Sequence, residues 1–332
     1  LLIVLLNYFF LKKNFLLDLP NIEKHKKITS KKNIPISLGL VFVILNVYLL
    51  IENINFVVLF IVLIFFIGLS SDVRFLKSPL YRLILQCLTI LLYLFLSKNL
   101  IDDTRVFILD ILLDNYLFSI FFTLFCLTIL INGTNFIDGI NTLAIGYYII
   151  VLSCVVLIFN KQGLQLDNYV FELITILIIC FIFNALGRSF LGDGGSYSLS
   201  FIIGIFLINV SNDYYAISPW MIVLLLWYPA FENLFSIIRR QSYNFALSKA
   251  DSLHLHQLFF MFIKRKIKLN YIPTNLLTSF IINIYNAAIL FLGSLYNSST
   301  QILVLLICFN ILIYVYIYLY FVNYLKKYKN KN

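Results

Sequence analysis

The stretch NGTNFIDGINTLAIG at residues 132–146 sets Asn132, Asn135 and Asp138 at i, i+3 and i+6 between two long apolar runs. On a continuing helix that spacing confines the three side chains to an arc of about 120°, so two amides and a carboxylate could face one cavity. Such a set suits a polar, charged ligand. Capping is the competing account, in which Asp138 starts the helix at Gly139 or Ile140 and the asparagines end the one before it. Polar groups at membrane depth are costly unless they line water or a ligand, and three on one arc favour a site.

In LGDGGSYS, Asp193 precedes two glycines and a serine at the start of another apolar run. Backbone N–H groups at a helix N-terminus favour an anion. An acid among such donors suggests a metal that bridges to phosphate, and Mg²⁺ takes one or two carboxylates plus phosphate oxygens more readily than an all-protein cage. An Asp-Gly turn is the plainer alternative. In GLSSDVRFLKSPLYR, Asp72 is followed by Arg74, Lys77 and Arg82, and a basic loop beside the membrane accounts for most of that charge. Arg82 lies one turn into an apolar helix, where it must snorkel or find an anion.

The segment SKADSLHLHQLF carries His254 and His256, two of the 3 histidines in the chain. Residues i and i+2 diverge on a helix but point the same way in extended backbone, so LHLHQ reads as a loop presenting two imidazoles. Structural zinc takes more protein ligands than these two, and no cysteine is nearby, so phosphate contact is the expected role. Upstream, Phe231, Leu234, Phe235 and Ile238 recur with helical spacing and are followed by Arg239 and Arg240, the pattern of a helix in the interface plane.

The elements that must position these groups are membrane helices. Hydrophobic residues make up 61% of the 332 and charged residues only 12%, against about 25% charged in an average soluble domain. Runs long enough to span a bilayer fall near 1–11, 35–51, 55–69, 80–97, 116–131, 141–159, 168–183, 197–212, 217–231, 276–295 and 301–322. The expected fold is an all-α integral membrane protein of about 11 transmembrane helices, one polytopic domain over residues 1–332. The first run lacks a basic flank and a small-residue cleavage site, so it reads as a span clipped at its start and not as a signal peptide.

If the loop at about 12–34 is cytoplasmic, alternation puts about 70–79, 132–140, 184–196, 232–275 and the tail on the same side. The other side then keeps only Lys98, Arg105 and Lys161 of the 25 Lys and Arg, a positive-inside pattern that predicts a multi-pass protein of the inner, cytoplasmic membrane. The net charge of +10 then describes a face beside anionic lipid. Nucleic acid binding would need a basic domain with stacking aromatics outside the membrane, and the sequence has none. Asp102, Asp103, Asp110, Asp114, Asp167 and Asp213 fall in the opposite loops and read as solvated surface. The 5 cysteines are single, lie inside apolar runs and read as small buried hydrophobes. The four polar segments all face the cytoplasmic side.

In that order and on that side, the four segments resemble the polyprenyl-phosphate N-acetylhexosamine-1-phosphate transferases (glycosyltransferase family 4), relatives of phospho-N-acetylmuramoyl-pentapeptide transferase. Pro20, His25, Pro35 and Gly39 fall as in that family's N-terminal loop, so the resemblance covers about residues 12–262. It implies transfer of an N-acetylhexosamine 1-phosphate from a UDP-sugar to polyprenyl (undecaprenyl) phosphate, with release of UMP and initiation of a cell-envelope glycan such as lipopolysaccharide O-antigen. By resemblance, Asp193 is the principal ligand of Mg²⁺ (or Mn²⁺), with Asn135 near the metal. Asn132, Asn135, Asp138 and Asn141 are donor-binding, Arg82 is the cation on the diphosphate, and His254 and His256 hold phosphate. Asp72, Asp138 and Asp193 are the catalytic acids, and a homodimer is compatible with the chain.

Ser71 stands where the family usually has the first of two adjacent aspartates, so any base role of that acid passes to Asp72, to another acid or to no residue. Lipid phosphate is already largely ionised at neutral pH. Gln257 replaces a frequent third histidine. A muramoyl-pentapeptide substrate is the alternative within the family, although LHLHQ and NFIDGINTL look closer to the branch that uses simple amino sugars. A transporter would place its ionisable residues near the bilayer midplane in broken helices. An inactive homologue would not need to retain Asp72, Asp138, Asp193 and the histidines.

Overall fold

The computed structural model describes residues 2–18, 33–50, 56–242 and 253–329. Each expected apolar run is helical. They form α1 (Leu2–Lys13), α2 (Leu38–Leu50), α3 (Val57–Asp72), α4 (Pro79–Ser97), the short α5 (Phe107–Leu113), α6 (Tyr116–Ile137), α7 (Leu143–Gln162), α8 (Asn168–Ala185) and α9 (Gly192–Asp213). Then follow α10 (Pro219–Leu225), α11 (Trp227–Ser242), α12 (Leu255–Ile267), α13 (Tyr271–Leu295) and α14 (Thr300–Lys329). The two-residue strands β1 (Leu17–Asp18) and β2 (Ile34–Pro35) pair antiparallel.

Among the described residues, seven helices, α4, α6, α7, α8, α9, α13 and α14, are long and apolar enough to cross a membrane. An eighth span arises if α10 and α11, bent by 72° at their break, count as one. At 12, 13 and 16 residues, α1, α2 and α3 are helical where spans were expected, but are shorter than the roughly 20 residues that cross a hydrocarbon core. The chain is thus an all-α, multi-pass membrane protein. Local signals set the helix ends. Asn115 Oδ1 accepts the N–H groups of Leu117 and Phe118 at the start of α6, Pro79 opens α4 and Pro219 opens α10.

Helix α9 is the hub, packed against α2, α3 and α6 and buried along nearly its whole length. Small residues make that possible. A Cβ on Gly68 of α3 would stand 2.5 Å from the Asp193 and Gly194 backbone, and one on Gly39 of α2 would stand 2.6 Å from the Gly195 nitrogen. Only glycine admits these crossings.

The helix ends sort into two layers. At one end, Trp220 Nε1 donates to the Thr104 carbonyl, Arg105 to those of Tyr215 and Ser298, and Lys161 to that of Leu295. Lys98, Arg105 and Lys161, the three cations expected apart from the rest, belong to this end. At the other end the polar segments meet: Phe190 N–H donates to the Pro35 carbonyl, Ser37 Oγ pairs with Ser189 Oγ, and Thr142 N–H reaches Asn184.

Candidate active site

The helix α9 opens at Gly192, whose φ of +75° turns the chain so that Asp193 occupies the first turn. The Asp193 carboxylate is the meeting point of three other helices. Its Oδ1 accepts from Asn135 Nδ2 of α6 at 2.8 Å, and its Oδ2 accepts from Ser71 Oγ of α3 at 2.6 Å and from Arg82 Nη1 of α4 at 2.9 Å. Arg82 also donates to Ser71 Oγ, and Asn135 to Ser196 Oγ at 3.2 Å. The Arg82 and Asp193 side chains keep 22% and 24% exposure, so the pair is open at one side to a ligand. Arg82 has therefore found an anion and does not snorkel.

Asp72 is the last residue of α3 and faces the same turn from beneath. Its Oδ1 accepts the Asp193 N–H at 3.0 Å and its Oδ2 the Gly194 N–H at 3.1 Å. The α9 N-terminus does favour an anion, as its glycines suggested, but the anion it holds is Asp72. Those two amides are thus engaged by the protein itself, and the expectation that they bind a ligand phosphate is corrected.

The last turn of α6 is a wall shared by two clusters. Asn132 and Asn135 lie within the helix and Asp138 caps its C-terminus. Only Asn135 reaches Asp193. Asn132 Nδ2 donates to Gln86 Oε1 of α4 at 3.0 Å and to the Thr128 carbonyl at 2.9 Å. Beyond them, the Phe136 ring lies 4.7 Å from that of His254, and the Cβ position of Gly139 is 3.1 Å from His256 Nε2. Asp138, the C-cap of α6, lies between Phe136 and Gly139 in the chain. Asn141 goes elsewhere: it is buried, with Nδ2 donating to the Asn184 carbonyl at 3.1 Å, and ties the start of α7 to the end of α8.

The histidines depart from the expected loop in one respect. His254 is extended, with φ −69° and ψ 147°, but α12 begins at Leu255, so His256 stands in its first turn. The rings nevertheless face the same way, 5.6 Å apart and within 11° of parallel. Both are buried. Glu232 of α11 lies beneath them, with Oε1 2.9 Å from His254 Nδ1 and accepting the Leu255 N–H at 3.2 Å. The motif reading passed over Glu232, although an acid in the apolar run WYPAFENLF needs a partner and so marks a site by itself. Helix α11 turns Glu232, Asn233, Ser236 and Arg239 inward and leaves Leu234 and Ile238 exposed, which suits a helix whose apolar face meets lipid. Pro20, His25 and residues 248–252 of the SKADSLHLHQLF segment lie outside the described residues.

Among the described residues, no three His, Cys, Asp or Glu side chains converge on one point as a cage. Asp193 Oδ1 and Ser196 Oγ both accept from Asn135 Nδ2, and Ser71 Oγ lies 2.6 Å from Asp193 Oδ2; a single carboxylate with neutral oxygens beside it fits a hard cation that draws its remaining ligands from phosphate and water.

The sequence model of glycosyl transferase family 4 matches residues 54–211. Asp72, Arg82, Asn132, Asn135, Asp138, Asn141 and Asp193 fall inside that stretch, whereas Glu232 and the two histidines fall beyond it. Over 128 residues the chain is 29% identical to a Bacillus subtilis (strain 168) protein named probable undecaprenyl-phosphate N-acetylglucosaminyl 1-phosphate transferase. The aligned part covers 38% of this chain and 36% of that protein's length. The resemblance that the polar segments carry is thereby borne out over residues 54–211, the part of the chain that the glycosyl transferase family 4 model matches.

Proposed function

We propose that the protein transfers a sugar 1-phosphate, an N-acetylhexosamine 1-phosphate, from a UDP-sugar to undecaprenyl phosphate, giving the lipid diphosphate-linked sugar and UMP. The observation that carries this reading is the convergence of Asn135, Ser71 and Arg82 on Asp193 at the polar end of an apolar helix bundle. In the reaction a lipid phosphate oxygen attacks the sugar-proximal phosphorus of the donor, and the bond from that phosphorus to the UMP oxygen breaks. Two anionic reactants must be brought together, so positioned positive charge is the chief requirement.

The residues divide the work accordingly. Arg82, already oriented by Ser71 and Asp193, exchanges part of that contact for the donor diphosphate. Asp193, with Asn135 and Ser196 beside it, would hold Mg²⁺ or Mn²⁺, which supplies charge neutralisation on the diphosphate when bound. Asp72 holds the α9 N-terminus and keeps Asp193 in place. Asp138 and the imidazoles of His254 and His256, on the other side of the α6 turn, flank the incoming lipid phosphate. The acceptor explains a site at the membrane surface, and a soluble nucleotide donor explains a cytoplasmic one, in a multi-pass protein of the inner membrane that starts a cell-envelope glycan. The relative's name makes UDP-N-acetylglucosamine the first donor to try.

Purified protein in detergent, given undecaprenyl phosphate, Mg²⁺ and each of a panel of labelled UDP-sugars, should form a butanol-extractable labelled lipid and stoichiometric UMP with one amino-sugar donor. Absence of labelled lipid with every donor, from protein that remains folded, would defeat the proposal.

A further inference from the structure

Helix α11 presents an acid and a cation seven residues apart on its buried face, Glu232 at 1% and Arg239 at 8% exposure. Both hold the same short segment. Glu232 Oε1 accepts the Leu255 N–H and stands 2.9 Å from His254 Nδ1, while Arg239 donates to the Leu253 carbonyl on the other side of the histidine. Arg239 is itself held by Tyr318, whose hydroxyl it meets at 2.9 Å, and by Ser236 Oγ at 3.2 Å. Residues 253–255 are therefore clamped at a backbone donor, a backbone acceptor and an imidazole nitrogen.

The chemistry of that clamp bears on which nitrogen of His254 carries a proton. An ionised carboxylate only accepts hydrogen bonds, and the oxygen concerned already accepts from Leu255. The Nδ1 atom must then be the protonated one. A buried carboxylate left without such donors would be severely destabilising, so the pairing is held firmly. We infer that Glu232 is a positioning residue that holds a proton on His254 Nδ1, fixing the Nδ1–H tautomer of the neutral ring with Arg239 as the second anchor, so that Nε2, when it takes up a proton, is the nitrogen that donates to a phosphate. The tautomer follows from the geometry alone; its consequence for turnover rests on the proposed transfer reaction. The other titratable groups packed about the pair are His256 at 5.6 Å, Tyr314 of α14 beside Glu232, and Asp138 next to the glycine that abuts His256.

The chain has only 3 histidines, so selective ¹⁵N-histidine labelling gives a spectrum that His25→Gln and His256→Asn suffice to assign. At a pH where the rings are neutral, His254 should show a protonated Nδ1 and a bare-type Nε2. Glu232→Gln keeps an acceptor but loses the charge. It should retain that tautomer and lower kcat about 10-fold with KM for both substrates within a few-fold. Glu232→Ala should lose the tautomer preference. An Nε2–H tautomer in the wild type would overturn the inference, as would a Glu232→Gln protein with unaltered kcat. The spectrum needs no turnover, so a wild-type protein with the Nδ1–H tautomer but no transferase activity would sink the function and leave the tautomer assignment standing. If Glu232→Ala does not fold, the wild-type and Glu232→Gln spectra decide.

Discussion

Asp72 caps the helix that carries Asp193, although it belongs to a different helix. Its two oxygens accept the Asp193 and Gly194 N–H groups at 3.0 and 3.1 Å, and the residue before α9, Leu191, supplies no side-chain cap of its own. Helix N-termini leave four N–H groups without intrahelical partners, and an acid there satisfies donors while opposing the positive end of the dipole. Asp72→Ala should therefore cost about 0.5–2 kcal/mol of stability, seen as a lower midpoint of thermal unfolding in detergent. Asp72→Asn, which keeps one acceptor, should lose less stability and retain measurable turnover. A loss of activity as deep as that of an Asp193 variant, without loss of stability, would show that Asp72 acts on substrate directly.

Asp193→Asn should abolish turnover while the protein stays folded, because it removes charge from a partly open site and keeps the side chain's size. The expected fall in kcat is on the order of 10² or more. Activity within a few-fold of wild type would exclude Asp193 as the principal charged group.

Ser71 Oγ donates to Asp193 Oδ2 at 2.6 Å. An acid at position 71 would place a second carboxylate against the first, where like charges oppose one another. If the lipid phosphate attacks already ionised, kcat should stay level from about pH 7 to 9, once phosphate ionisation near pKa ~6 is complete. Ser71→Asp should then bring no more than a few-fold gain. A large gain with a new acidic limb in the pH profile would mean that the native site lacks a useful base.

Gly68→Ala should destabilise the protein through α9. The added methyl would lie 2.5 Å from the Gly194 backbone, and helix backbones yield less readily than side-chain tips. Overpacking of this kind costs about 1–3 kcal/mol. Because the strained contact is next to Asp193, activity should fall more steeply than the unfolding midpoint, which parallel assays of the two would reveal.

Orientation is open to cysteine labelling in a chain cleared of its 5 native cysteines. Lys77→Cys, and Asp251→Cys in a segment outside the described residues, should react from the cytoplasmic side, and Asp103→Cys from the opposite side. Labelling of positions 77 and 103 from one side would refute the alternation.

The sequence by itself determined the membrane class, the helical state of the long apolar runs and the sorting of polar segments to one end. Those properties are local: an apolar run must hide its backbone polar groups in a helix, and charge must stay out of lipid. It also marked Asp193, Asn135 and Arg82, because an ionisable group in an apolar run needs a partner. Which partner it takes is a matter of distances across the fold. Only the tertiary structure decided that Asp72 spends both oxygens on the α9 amides, that Asn132 pairs with Gln86 and not with Asp193, and that Asn141 ties α7 to α8. It alone joined Glu232 to His254, 22 residues away in sequence. A hydrogen bond selects its acceptor within a few tenths of an ångström, and helical spacing says which face a residue occupies but not what faces it.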